Sequence, residues 1–229
     1  LFRTQQYGKV ARTSVYCSDD PMNFGINQDR LYFVCEMPVA AIEIVQHEGQ
    51  DYMAALLPSL KGIQIAKLGW TKQPTEGTAV FDLENADHRQ GWKKVSGNMP
   101  SVFTNSSRHR FTSPSSHFIG TAEKSGGEFD DTITAVIESP SFKIDGDWLF
   151  AYLSGGVDPK KLYLALHDAD SGEELMRASP SMESNALVPQ LLNVSNFVGR
   201  SAKLRIVDNS KQGWGHINFG GLYRGTSNN

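Results

Sequence analysis

Short strand-like runs separated by turn residues fill residues 78–229, and they constrain the fold of this 229-residue chain more than any other feature. The runs are rich in β-branched and aromatic residues and recur at the spacing typical of a β-sandwich or β-barrel. They lie at residues 79–83, 92–95, 133–138, 148–153, 162–167, 174–178 and 202–208. Residues 185–198 could also suit a helix, but Pro189 and the β-branched residues around it argue against one. The sequence therefore predicts an all-β chain with a jelly-roll-like β-sandwich at residues 78–229.

Residues 1–71 carry a second series of strand-like runs, at 9–17, 31–38, 42–45, 52–57 and 62–68. In the last run Ile63, Ile65 and Lys67 alternate with the other side chains and share one face of a strand. Four strands joined by tight turns make one β-propeller blade, and a single blade cannot bury its faces alone. We therefore expect residues 1–71 to be an incomplete terminal blade that packs on the remaining blades of the same protein. Residues 71–77 are predicted to form a polar linker to the sandwich.

The charge and hydropathy of the chain exclude two classes of partner. The net charge is −3, and no Lys/Arg cluster is longer than a pair, such as Lys93-Lys94. Nucleic-acid binding needs a clustered basic face, so no nucleic acid is expected as a partner. No run of about 18 apolar residues occurs, so no membrane-spanning helix is expected either.

Two features of the N-terminal region leave alternatives open. Cys17 and Cys35 are the only cysteines, and they can form one disulfide or remain as two buried thiols. The chain begins at Leu1 without a Met, and the residues that follow do not resemble a signal peptide. We therefore expect it to be part of a longer protein.

Two stretches of the N-terminal region match a known pattern: residues 18–45, and the string Gly-Ile-Gln-Ile-Ala-Lys-Leu-Gly-Trp at residues 62–70. They resemble the last blade of five-bladed propeller glycosidases, most closely glycoside hydrolase family 32, the β-fructosidases. The segment Ala41-Ile-Glu-Ile44 departs from the family pattern, because Ile42 stands where Pro is usual.

The remainder resembles the lectin-like sandwich that accompanies some bacterial levanase-type proteins. The matching strings are Phe81-Asp-Leu-Glu84 with Gly91-Trp92, Phe118-Ile-Gly-Thr121, Glu138-Ser-Pro-Ser-Phe142, Leu153-Ser-Gly-Gly156, Leu162-Tyr-Leu-Ala-Leu166 and Arg205-Ile-Val-Asp-Asn-Ser210. The most specific string is Gly213-Trp-Gly-His-Ile-Asn218. The resemblance implies the C-terminal part of a secreted or periplasmic glycosidase acting on fructan or a related polysaccharide. In this interpretation the sandwich supports the propeller and binds carbohydrate; the alternative is a non-catalytic carbohydrate-binding or surface protein.

The catalytic carboxylates implied by this resemblance are expected upstream of this chain. The family carries its nucleophile, its transition-state-binding Asp and its acid/base Glu in Trp-Met-Asn-Asp-Pro, Arg-Asp-Pro and Glu-Cys-Pro motifs. None of these motifs occurs here: Asp20-Pro21 lacks the preceding Arg, and Cys35-Glu36-Met37-Pro38 has the wrong order. No catalytic residue is therefore predicted in this chain.

Sugar binding needs aromatic faces for stacking and fixed polar groups for hydroxyls. The candidate carbohydrate-binding residues are Trp214, His216, Asn218, Asp208, Asn209, Arg110 and His117. The competing interpretation is a conformational lock, with Trp214 in the core and His216 bonded to the backbone. Trp92 and Trp148 fall inside strand runs and are predicted to pack in the core.

Calcium is the one cofactor that the resemblance suggests. Sandwiches of this kind often hold a structural calcium ion, and Asp82 and Glu84 match the first half of its ligand set. The expected second half, Asn-x-Asp-Asp, reads Asn-Phe-Gly-Gly at residues 218–221, which leaves Asp130-Asp131 as a replacement.

Overall fold

The computed structural model describes residues 2–7, 10–18, 20, 22, 33–37, 39–57, 61–69, 74–105, 116–124, 127–180 and 183–226. The chain divides into two compact units, Leu1–Lys72 and Gln73–Asn229. The described residues form antiparallel strands, turns and short 3-10 segments such as Asp87–Arg89, and contain no α-helix. The predicted all-β class is therefore confirmed. No helix within the described ranges has the length and apolar character needed to cross a membrane.

The described residues of the first unit form two three-stranded antiparallel sheets, with strand orders β1-β2-β3 and β4-β5-β6. The strands are β1 Phe2–Tyr7, β2 Val10–Tyr16, β3 Phe33–Met37, β4 Ala40–His47, β5 Gln50–Leu56 and β6 Ile63–Lys67. This differs from the single four-stranded sheet expected for a blade. The strand β1 was not among the predicted runs, because its sequence is mostly polar and shows no apolar alternation.

The sheet β4-β5-β6 is buried on one face and exposed on the other. Met53 and Ala55 of β5 pack with Val39 in a small core. On the opposite face Ile63 and Ile65 of the edge strand β6 are 71% and 72% exposed. The alternation predicted for this run is present, but its apolar side chains face outward.

Cys17 lies just after β2 as an exposed free thiol. Neither alternative for this residue holds, since it is neither buried nor part of a disulfide. Its position next to the end of a strand places it at the surface, where a thiol needs no packing partner.

The second unit is a β-sandwich of two antiparallel sheets. One sheet has the order β14-β13-β16-β10-β8 with β11 paired to β16, and the other has the order β15-β12-β17-β7 with β9 paired to β17. The strands are β7 Thr75–Asp82, β8 Lys93–Gly97, β9 Ile119–Gly120, β10 Ala135–Glu138, β11 Phe142–Lys143, β12 Trp148–Gly155, β13 Leu162–Asp168, β14 Glu174–Ala178, β15 Ser184–Asn193, β16 Ser201–Asp208 and β17 Ile217–Thr226. Because β7 begins at Thr75, part of the predicted linker is a strand.

The sandwich core is made by alternate residues of the two sheets. Leu153 and Leu222 come from one sheet, Leu164 and Ile206 come from the other, and all four are fully or almost fully buried in one cluster. Each such side chain contributes about 1.5–3 kcal/mol relative to its exposed state. This burial supports the site that lies at one end of the sheets.

Two tryptophans that were predicted for the core differ in their environment. Trp92, just before β8, is buried and meets the ring of Phe81 edge to face at 5.1 Å between centroids. Trp148, at the start of β12, is only partly buried and lies outside the core cluster, so its predicted core position is wrong. The alternation of β12 explains this, because Leu149, Ala151 and Leu153 take the core face and Trp148 takes the other.

The segment that a helix could have formed is the strand β15. It is an edge strand of its sheet, and Pro189 stands opposite Tyr152 of β12. An edge strand tolerates the missing N–H of proline, which a central strand does not.

Candidate functional site

The loop between β16 and β17, residues 209–216, closes one end of the sandwich over the end of β12. The Gly156 N–H donates to the carbonyl of His216 at 2.9 Å. A Cβ atom at Gly156 would lie 1.9 Å from the carbonyl oxygen of Trp214, and one at Gly155 would lie 2.2 Å from that of His216. Gly155 and Gly156 therefore lie directly against the backbone of Trp214 and His216, where a larger residue would not fit.

His216 is the buried centre of this end of the sandwich, with 1% of its surface exposed. Its Nδ1 lies 2.6 Å from Oδ1 of Asp131, and its Nε2 lies 3.1 Å from Oδ1 of Asn185. These partners fix the ring in position, and they join the loop to two segments that are distant in the sequence.

Trp214 lies on top of His216 and reaches the surface. Its backbone has φ of +59°, a left-handed conformation that is rare for a bulky residue. The backbone N–H of Trp214 donates to Oδ2 of Asp131 at 3.0 Å, and Oδ1 of Asp131 contacts His216. Both oxygens of this carboxylate therefore hold the loop. The indole stacks on the imidazole of His216 at 5.6 Å and 24°, and 39% of the residue is exposed.

Phe129 contacts the same imidazole from another side. Its ring meets that of His216 edge to face, with centroids 5.2 Å apart and planes at 86°. Phe129 is 43% exposed, so two partly exposed aromatic rings flank one buried histidine.

Asp208 lies beneath the loop, at the end of β16, and is fully buried. Its Oδ1 accepts the N–H of Ser210 at 3.0 Å, and its Oδ2 has no hydrogen-bond partner among the described residues. Burial raises the pKa of this carboxyl to about 7, and the charge of Asp131 acts in the same direction, against hydrogen bonds from Thr121 and Ser210. The site thus contains a carboxyl that changes charge near neutral pH.

Asn218 and Asn209 have opposite exposures. Asn218 is fully buried, and its Nδ2 donates to Oγ of Ser154 at 3.1 Å. Asn209 is exposed in the loop, and its N–H donates to the carbonyl of Lys161 at 2.9 Å. Of the candidate carbohydrate-binding residues in this loop and the strands beside it, Trp214 and Asn209 reach solvent, whereas His216, Asn218 and Asp208 do not.

The other predicted site residues form their own hydrogen-bonded group. Glu84 accepts hydrogen bonds from the N–H groups of Ser116 and His117, and its Oε2 lies 3.5 Å from Nδ1 of His117. Asp82 accepts the N–H of Glu84 at 3.0 Å. Arg110 lies outside the described residues.

The predicted calcium ligands do not come together in the part of the chain that the structure describes. No group of three or more His, Cys, Asp or Glu side chains there is placed to hold a metal ion. Asp130 forms an ion pair with Lys124 at 2.8 Å, and Asp131 binds the loop of Trp214. Calcium binding stays a prediction that the structure does not test.

The sequence did not indicate that Asp131, Asn185 and Phe129 contact His216 beneath Trp214. Asp131 was considered only as a calcium ligand, and neither Asn185 nor Phe129 was singled out. Asp131 and Asn185 are 85 and 31 residues from His216 in the sequence, so no local spacing links them.

Comparisons with known proteins do not assign a family. No family model and no curated protein matches the chain. It is similar to the C-terminal extracellular domain of Mycobacterium tuberculosis EmbC, with 13% identity over 48% of this chain and 43% of that one and a TM-score of 0.32. It is also similar to the K1 cleaved adhesin domain of Lys-gingipain from Porphyromonas gingivalis, with 9% identity over 69% of this chain and 100% of that one and a TM-score of 0.37. A third similar structure is a family 43 arabinoxylan arabinofuranohydrolase from Bacillus subtilis in complex with cellotetraose. The identity is 11% over 99% of this chain and 54% of that one, and the TM-score is 0.29.

The chain thus spans 43% and 54% of two of these three structures. All three TM-scores are below 0.5, so these similarities do not decide function. Membership of family 32 is not shown, and a role for the chain has to be argued from the site itself.

Proposed function

We propose that residues 78–229 form a carbohydrate-binding β-sandwich within a secreted or periplasmic carbohydrate-active protein, with Trp214 as the contact surface. The observation that carries this proposal is the indole of Trp214, which is 39% exposed although it is held in a left-handed backbone conformation. A strained backbone with an exposed, immobilised ring is a feature that stability alone does not favour. Aromatic faces held in this way stack on the apolar faces of sugar rings.

The loop that carries Trp214 also offers exposed polar groups that suit a hydroxylated ligand. Asn209 and Gln212 are exposed in the same loop as Trp214 and offer amide donors and acceptors. His216, which is buried, and Asp131, which is partly buried, then act as supports that position the ring. Because the ring and its supports are in place before a ligand arrives, little conformational entropy is lost on binding.

The finer proposal is that the longer protein is a glycosidase acting on fructan or a related polysaccharide, with its catalytic carboxylates on propeller blades outside this chain. It rests on the family 32 resemblance of residues 10–70 and 79–219. Expression of the complete reading frame and measurement of fructose release from levan tests it. Saturable levan binding without fructose release supports the alternative, a non-catalytic carbohydrate-binding or surface protein.

Affinity electrophoresis of the chain in gels containing levan, inulin, arabinoxylan or β-1,3-galactan tests the carbohydrate proposal. We expect one of these polysaccharides to retard the wild-type chain, and we expect Trp214→Ala to weaken this binding about tenfold, a loss of about 1.4 kcal/mol. Trp214→Phe should retain most of the binding, because it keeps an aromatic face.

A matched control is Val198→Ala, which truncates another exposed apolar side chain of the same sandwich. It should bind as the wild type does. If no polysaccharide retards the wild-type chain, or if Trp214→Ala binds as tightly as Val198→Ala, the sandwich does not bind carbohydrate through Trp214.

A further inference from the structure

We infer that Phe129 and Trp214 together form one two-ring platform, and that its ligand is an oligosaccharide of at least two linked sugar rings. This inference rests on the proposed carbohydrate-binding function and deepens it, since it names a second contact residue and a ligand size.

The two exposed rings share one support. Both rings contact the imidazole of His216, at 5.6 Å for Trp214 and at 5.2 Å for Phe129. Asp131 follows Phe129 by two residues and binds both His216 and the backbone of Trp214. The two exposed rings are therefore fixed relative to each other by one buried histidine and one carboxylate.

Backbone and side-chain contacts hold Phe129 in position. Phe129 forms an antiparallel bridge with Glu123, and the N–H of Asp130 donates to the carbonyl of Ala122 at 2.9 Å. The side chains of Lys124 and Asp130 are joined at 2.8 Å, and this contact with Lys124 holds the pKa of Asp130 well below its usual range. Phe129 is thus tied to residues 122–124 through its own backbone and through its neighbour Asp130.

The two rings differ in their orientation relative to the imidazole of His216. Trp214 is nearly parallel to the imidazole, at 24°, whereas Phe129 is nearly perpendicular to it, at 86°. The two rings consequently offer two differently inclined apolar surfaces. A single sugar ring can lie flat on only one of them, so full use of the platform needs at least two linked sugar rings in a bent or twisted chain.

Exposed polar side chains stand close to both rings in the sequence: Lys211 and Gln212 precede Trp214, and Glu128 precedes Phe129. Charged and amide groups can bind the hydroxyl edges of a sugar whose ring faces stack on aromatic side chains.

The experiment is a chain-length series measured by isothermal titration calorimetry on the chain. The probes are levan oligosaccharides from fructose to the hexasaccharide, and the variants are Phe129→Ala, Phe129→Tyr and Trp214→Ala. We expect wild-type affinity to rise about tenfold between the mono- and the tetrasaccharide. Phe129→Ala should abolish this rise, Phe129→Tyr should restore it, and Trp214→Ala should weaken binding at every length.

The possible failures are distinguishable. Affinity that depends on Trp214 but not on chain length overturns the two-ring platform and leaves the carbohydrate proposal intact. A chain-length effect that Phe129→Ala preserves assigns the second contact to another residue, and likewise overturns it. If the wild-type chain binds no levan oligosaccharide and no polysaccharide in the gel assay, the proposed function fails and the platform with it. Near-ultraviolet circular dichroism of each variant separates loss of binding from loss of folding.

Discussion

Replacement of Asp208 by Asn should remove most of the pH dependence of the sandwich's stability between pH 5 and pH 8. The pKa of Asp208 is about 7 in the folded chain because burial disfavours its charged form, whereas its ordinary value is 3.8. Between these two values the folded chain holds a proton that the unfolded chain has released. The contribution of the Asp208 carboxyl to the free energy of unfolding is therefore largest below about pH 4. It falls as the pH rises and is lost above about pH 7.

The magnitude follows from the difference in proton binding. From pH 5 to the pKa of about 7, each pH unit lowers the free energy of unfolding by about 1.4 kcal/mol, which gives about 3 kcal/mol in total. The amide of the Asp208→Asn variant would keep an oxygen that can accept the N–H of Ser210, and it carries no charge at any pH. The variant should therefore gain about 3 kcal/mol relative to the wild type as the pH rises from 5 to 8.

Urea unfolding at several pH values, followed by tryptophan fluorescence, measures this difference. Comparison of variant and wild type at each pH cancels the groups that titrate equally in both, so the change with pH isolates Asp208. Asp170→Asn, at an exposed aspartate, is the matched control for the removal of a carboxylate. A difference between D208N and wild type that stays constant from pH 5 to pH 8 would refute the reasoning, because a carboxyl ionised throughout this range shows no such slope.

Two further predictions concern the loop of Trp214. Gly156→Ala should destabilise the sandwich by about 3 kcal/mol, because its new Cβ would lie 1.9 Å from the Trp214 carbonyl oxygen; thermal unfolding measures this. Gly213→Ala is its control, since nothing lies within 4 Å of a Cβ there, and equal effects of the two would contradict the packing argument. Asp131→Ala should cost about 2–3 kcal/mol, because it leaves the N–H groups of His216 and Trp214 without their acceptor. Urea unfolding checks this value, and a loss below about 0.5 kcal/mol would show that water replaces the carboxylate.

The fold class could be predicted because its signals are local. Turn residues and alternating side chains mark seven of the sandwich strands within a few residues, and Pro189 pointed correctly away from a helix. The strands β9, β11 and β17 were not among the predicted runs. The division of the first unit into two sheets could not be read in this way. Its strand β1 is polar, and strand pairing depends on contacts between segments that no local pattern encodes.

The candidate site could be predicted only in part, for a similar reason. Trp214 and His216 stood out because glycines bracket a bulky residue there, and this pattern does correspond to a left-handed backbone position. The lock interpretation expected Trp214 in the core and His216 on a backbone group, whereas Trp214 is exposed and His216 binds side chains. Asp131 and Asn185 reach His216 only after the sheets have formed, so their role is a property of the tertiary structure.

The outward face of β6 has a consequence for the association of this protein. An edge strand that exposes Ile63 and Ile65 offers unpaired backbone groups beside apolar side chains, which is the combination that recruits other strands. Both side chains are exposed in the complete chain, so this edge is still able to pair with a strand of another molecule after folding is finished.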